Sequence, residues 1–190
     1  LWWHTMLPTN LPLPLATVRL TQASFERMGY KDTARTPKAH MIGTGIAILS
    51  NRISYVFDLK GPSSTVDTGC SGSMVALHQA CHGLRARESK MAIVAGTQLV
   101  LTPDQIIPMT CFRYLYAYGL MTSISMTNPD GKCYVFDSRG AGYARGEGVV
   151  SFILKRLDDA VRDGDKVHAI IRNSGLNQDG KTAGLTLPNP

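Results

Sequence analysis

The sequence predicts a layered α/β domain. Apolar stretches of strand length alternate with helical ones, one helix carries a 3-4-3 apolar spacing, and 44% apolar content over 190 residues is enough for a single core.

Residues 1–23 carry no usable periodicity and stay unassigned, interrupted by Pro8, Pro12 and Pro14. From Thr44, "TGIAILSNRISYVF" predicts a mostly apolar helix, closed by the turn "DLKGPS" with Gly61 and Pro62. "STVDTG" (64–69) then predicts a short strand, and Ser71 to about Arg87 a helix with Met74, Leu77, Cys81 and Leu84 on its core face. Arg85 and Arg87 at its end suit the negative pole of the helix dipole. "MAIVAG" (91–96) has the length and unbroken apolarity of a buried strand. The Tyr- and Met-rich stretch after Pro103 is assigned to no element, and the polar "TNPDGK" behind it forms a turn. "VVSFILK" (149–155) predicts a second buried strand, "LDDAVRDG" a short helix closed by Gly164, and "VHAIIRN" (167–173) a further strand. No internal repeat or linker interrupts the order.

The net charge of +6 favours acidic partners, but the basic residues are scattered and form no nucleic-acid-binding run. No apolar run reaches membrane-spanning length, and the start lacks the basic region of a signal peptide. The chain opens on Leu1 and stops on "TLPNP", so both ends read as cut and the chain as a fragment. Cys70, Cys81, Cys111 and Cys133 show no zinc-ligand spacing. Cys70 and Cys81, if on one helix, stand about 16 Å apart along its axis, too far to bridge. Reduced thiols in a cytosolic compartment follow.

"VDTGCSGSMVALHQACHGLR" places Cys70 where strand gives way to helix, among Gly69, Ser71, Gly72 and Ser73. A nucleophile at such an elbow stands clear of the backbone, and the tight turn demands small neighbours. Amides of the helix's first turn stabilise a thiolate there and can donate to an acyl oxyanion. The competing reading is a small buried cysteine of the kind common in cores, and the local pattern alone leaves both open. Cys81, Cys111 and Cys133 lack the glycine-flanked turn and read as structural.

Three ordered motifs add to this: "NRISYVFDLKGPSSTVDTGCSGSMVALHQACHGLR", "DGKCYVFDSRGAGYARGEGVV" and "NQDGKTAGLTLPNP". With them the chain resembles the β-ketoacyl synthase (ketosynthase) domain of polyketide synthases, most nearly the highly reducing iterative type of filamentous fungi. The likeness runs from about residue 36 to 190, and residues 24–190 are taken as a partial N-terminal half of that domain. The resemblance implies a thiolase-like fold, α-β-α-β-α when complete, and a homodimer. It implies Cys70 as the residue that carries an acyl thioester, with acyl and malonyl groups delivered on the phosphopantetheine of an acyl carrier protein. The domain itself would need no metal or cofactor. Lys31, Arg35, Lys38, Arg85, Arg87 and Lys90 are candidate contacts for an acidic carrier, beside their ordinary solubilising role.

The family's two catalytic histidine segments, one of them "HGTGT", do not occur in this sequence. His4, His40, His78, His82 and His168 stand in other contexts, and His78 and His82 read as packing or surface residues. The fragment alone is therefore expected to be inactive and poorly soluble. Residues 121–128, "MTSISMTN", exceed the family's connection and suggest an insertion or a gene-model error. Gly69 and Gly72 replace the alanine and serine of many relatives but remain small.

Two glycine-rich stretches compete. Gly175–Thr182, "GLNQDGKT", fits the P-loop pattern behind an apolar stretch, which leaves a nucleotide-binding module as an alternative. "AGLTLPNP" does not extend as the helix a P-loop needs, and Asp179 brings the wrong charge. "GYARGEGVV" leads into a strand, the reverse of a dinucleotide fingerprint, so Gly142, Gly146 and Gly148 read as close-packing glycines. A non-catalytic remnant of a synthase is the remaining alternative.

Overall fold

A computed structural model describes residues 15–18, 38–100, 127–184 and 189. Cys111, His4, Lys31, Arg35, the stretch after Pro103 and positions 121–126 of the expected insertion lie outside the described residues.

In chain order the elements are β1 (Leu15–Val18), α1 (His40–Thr44), α2 (Ile46–Val56), β2 (Ser63–Val66), α3 (Gly72–Arg85), β3 (Met91–Gln98), β4 (Gly148–Lys155) and α4 (Leu157–Asp163). The strands form one mixed sheet in the order β2-β1-β3-β4. β1 is parallel to both neighbours, and β4 runs antiparallel to β3 from Met91↔Lys155 to Gln98↔Gly148. The helices α2 and α3 lie against this sheet.

The core is built from small residues. Ala76, Ala80 and Leu84 of α3 pack on Ala92 and Val94 of β3, with Val66, Leu77 and Leu154 around them. Alanines spaced four apart form a shallow ridge along one face of a helix, which lets α3 lie close to the strand. On the neighbouring helix, Thr65 of β2 donates its hydroxyl to the Ile46 carbonyl at 2.9 Å and meets the buried Ser50 hydroxyl at 3.1 Å.

The far ends of α3 and β4 are tied by one side chain. Arg156 donates to the carbonyls of Leu84 (2.9 Å) and Ser89 (2.8 Å) and pairs with Asp159. Enclosure pushes the Asp159 carboxyl up, and hydrogen bonds from Arg162 and Arg156 outweigh it, leaving the group below the usual carboxylate range. Gly164 closes α4 in the left-handed region (φ 72°), and the Asp165 amide reaches back to the Ala160 carbonyl at 2.9 Å. This is the stop that the glycine predicted.

Several expectations are corrected. A strand lies in the unassigned N-terminal segment: β1 takes an inner place in the sheet. β2 ends at Val66, three residues earlier than expected, because the Asp67 carboxylate accepts the Gly69 amide at 3.2 Å and turns the chain. Arg87 lies beyond α3 with a left-handed backbone (φ 60°). Met74 is exposed, since the buried stripe runs through Gly72, Ala76, Ala80, Cys81 and Leu84. β4 forms as expected but is not buried: Val149, Val150, Phe152 and Ile153 are 54–65% exposed on a strand whose outer edge pairs with no other described strand.

Residues 167–173 do not form a strand. Val167, Ile170 and Ile171 are apolar enough but exposed, and a strand exists only where a neighbour pairs its backbone. Gly146 and Gly148 have open space where a Cβ would stand, so close packing does not explain them. Gly142 is required by its backbone, at φ 112°.

Candidate active site

Cys70 sits in the short connection between β2 and α3. Gly69 adopts the left-handed region (φ 68°), where a Cβ would be strained, and Ser71 locks the turn by donating to the Thr68 carbonyl at 3.1 Å. The Ser71 and Thr68 hydroxyls also meet at 2.8 Å. With a turn held this way, the Cys70 side chain is exposed rather than packed.

Cys70 opens on a pocket of about 400 Å³. Gly69 of the connection and Ser73, Met74 and Leu77 of α3 form one wall, and Val94, Gly96, Val150 and Phe152 the sheet wall. Met74 and Phe152, both exposed, are thus two sides of an apolar cleft, a partial reason for apolar residues at open positions. Among the first-turn amides, Gly72 donates to Gly69 and both Met74 and Val75 to Ser71, which removes these three from the donors open to an acyl oxyanion.

The other cysteines differ. Cys81 is buried on α3, and burial pushes its thiol up against the opposing charge of Arg85. Cys133 is exposed, and its sulfur accepts the Ala144 amide at 3.2 Å. The His78 and His82 rings meet at a tilt with centroids 4.3 Å apart, and His78 Nδ1 shares a hydrogen bond with Ser174 Oγ at 3.0 Å. His40 and His168 line no part of the Cys70 pocket.

The P-loop pattern lacks its scaffold. No strand precedes Gly175 and, through Gly184, no helix follows Lys181 among the described residues. Asp179 is engaged with Asn189, whose side-chain amide donates to the Asp179 carbonyl at 3.2 Å. The stretch before Val149 does lead into a strand, β4, as read from the sequence.

Gly96, in none of the glycine-rich motifs of the sequence, forms part of the pocket wall. Its signal was available: a glycine inside a buried strand marks a close backbone approach.

Known proteins extend this picture. A family model described as Beta-ketoacyl synthase, N-terminal domain, matches residues 18–160. The highly reducing polyketide synthase ltbA of Aspergillus luteorubrus is 58% identical over 169 residues, 88% of this chain and 5% of that protein. Its counterpart sdnO of Sordaria araneosa is 49% identical over 87% of this chain and 5% of its own length. Among solved structures, the ketosynthase from module 6 of the bacillaene synthase of Bacillus subtilis 168 superposes with a TM-score of 0.77 at 35% identity, over 94% of this chain and 28% of that one. The oxazolomycin ketosynthase domain OzmH KS7 of Streptomyces albus JA3453 gives 0.77 at 28% identity, over 93% and 29%. The chain thus spans about one-twentieth of the curated synthases it matches, and its layered α/β architecture is part of the thiolase-like ketosynthase fold. The chain belongs to the β-ketoacyl synthase family.

Proposed function

We propose that this chain supplies the acyl-carrying half of a ketosynthase centre, with Cys70 as the nucleophile. The observation that carries the proposal is an exposed thiol on a rigid turn at the mouth of an apolar pocket. Met74, Leu77, Val150 and Phe152 offer apolar surface suited to an acyl chain.

The Cys70 thiolate attacks the carbonyl of an acyl thioester on a carrier's phosphopantetheine arm. The tetrahedral oxyanion collapses, the carrier thiolate leaves and takes a proton, and the acyl group remains on Cys70. A malonyl thioester then loses carbon dioxide, and the resulting carbanion attacks the Cys70 thioester. The new carbon–carbon bond forms as the Cys70 thiolate departs, lengthening the chain by two carbons.

Decarboxylation and carbanion stabilisation fall to the family's two histidine segments, which these 190 residues do not contain. Residues 24–190 act in this reading as the N-terminal half of a homodimeric domain in the cytoplasm. For carrier docking, Lys38 stays a candidate, whereas Arg85, Arg87 and Lys90 lie toward the end of α3 opposite Cys70, about 20 Å along a helix of this length.

The reading is tested by joining the chain to the corresponding remainder of the Aspergillus luteorubrus relative and supplying acyl and malonyl carrier thioesters. The joined protein is expected to release carbon dioxide and form a β-ketoacyl product, and the 190 residues alone neither. Product from the chain alone, above a Cys70→Ala control, would contradict the division of labour. A joined protein that folds but never condenses would contradict the activity.

A further inference from the structure

We infer that Gly96 is a positioning residue for Cys70: the bare backbone at this point of β3 sets how closely the first turn of α3 approaches the sheet, and so where the thiol stands over its pocket. The inference rests on the reading of Cys70 as the acyl carrier.

A Cβ built on Gly96 would stand 3.1 Å from the Ser73 Cβ and 3.7 Å from its hydroxyl. The first distance is tighter than ordinary carbon contacts, so one of the two elements must yield. The strand is the stiffer of the two. Gly96 pairs with Val18 of β1 on one side and Val150 of β4 on the other, so β3 is held along both edges at that residue. The helix is held from below, where Ala76 and Ala80 already lie on Ala92 and Val94. Its free end is the first turn, with Ser73 facing Gly96 and Cys70 three residues upstream. An added methyl at position 96 therefore lifts the turn that carries the nucleophile. Gly96, Ser73 and Cys70 all line the same pocket, so the displacement is felt directly at the thiol.

The contact has two partners, and this yields a specific reversal. Removing the Ser73 Cβ should restore the space that an alanine at 96 fills. A loss caused by general destabilisation would not be undone by a second truncation in the helix.

The test uses the joined ketosynthase described above, with two readouts: acylation of Cys70 from an acyl pantetheine thioester, and iodoacetamide alkylation of Cys70 relative to Cys133 in the same molecule. Cys133 is exposed in a different loop and serves as the internal reference. Gly96→Ala is expected to slow Cys70 acylation about tenfold, as sub-ångström misplacement of a reacting group does, and to change the Cys70 to Cys133 ratio. The double variant Gly96→Ala/Ser73→Gly is expected to return both readouts to within about threefold of the parent, the residue of an imperfect repair. Parent-like acylation and ratio in Gly96→Ala would overturn the inference. So would a slow single variant that the Ser73→Gly change fails to restore. Should Gly96→Ala not fold, the ratio in the double variant decides: parent-like supports the contact, and a ratio shifted in either direction overturns it. If the parent alkylates at Cys70 but is never acylated there, the acyl-carrier reading fails, and the alkylation ratio still judges the positioning role.

Discussion

Replacing Cys70 by alanine is expected to abolish acyl loading and to leave the fold intact. On the proposed role of Cys70 the loss should be complete, because the sulfur that would form the covalent bond is gone. The fold tolerates the change because Cys70 is exposed, its turn is held by Gly69, Thr68 and Ser71, and alanine adds no volume. Cys81→Ala is the matched control and loads at the parent rate, since that thiol is buried in α3 and does not line the pocket. Intact-protein mass spectrometry of the joined ketosynthase after exposure to an acyl thioester checks both. Undiminished acylation of the Cys70 variant would contradict the assignment.

Arg156→Ala is expected to cost substantial stability. The guanidinium caps α3 from outside: Leu84 is in its last turn, where carbonyls lack partners within the helix, and Arg156 supplies a charged donor to it and to Ser89. Truncation leaves the carbonyls of the buried Leu84 and Ser89 without their charged donor, the Leu84 carbonyl keeping the Arg87 amide at 3.2 Å. At the usual worth of charge-assisted bonds, about 3 kcal/mol is lost. Arg139→Ala offers the contrast, because the exposed Arg139 pairs with Asp137 across a turn and stands over the Tyr134 ring at 4.5 Å, contacts screened by solvent, so its removal is expected to leave the unfolding midpoint close to the parent's. Urea unfolding of the two variants measures the difference. Equal midpoints would refute the capping role.

Local pattern made α2, α3, β3, β4 and α4 legible in the sequence, and it also marked the connection that bears Cys70. Where it failed, the missing information was tertiary. β1 has four residues behind two prolines, too short for a period to register, and takes its place only through pairing with Ser63–Val66 and Ile93–Gly96. Residues 167–173 have strand-like composition, but composition does not provide a neighbour. The exposure of β4 was hidden for the same reason: apolar residues predict a face that wants cover, and the chain that covers it is a separate matter. Met74 illustrates a finer error. Its spacing with Leu77 suggested the core, whereas the smaller Ala76 and Ala80 let the helix approach β3 and leave Met74 to line the cleft. The role of Gly96 was implicit in a glycine within an apolar strand, but its partner Ser73 emerges only when helix and strand are laid together.

That Cys70 carries the acyl group is tested most directly by peptide mapping after the joined ketosynthase has been incubated with an isotope-labelled acyl pantetheine thioester. The account predicts label on the peptide containing Cys70, released by hydroxylamine as a thioester is. Label confined to the Cys81, Cys111 or Cys133 peptides, or a folded protein with Cys70 unlabelled, would contradict it.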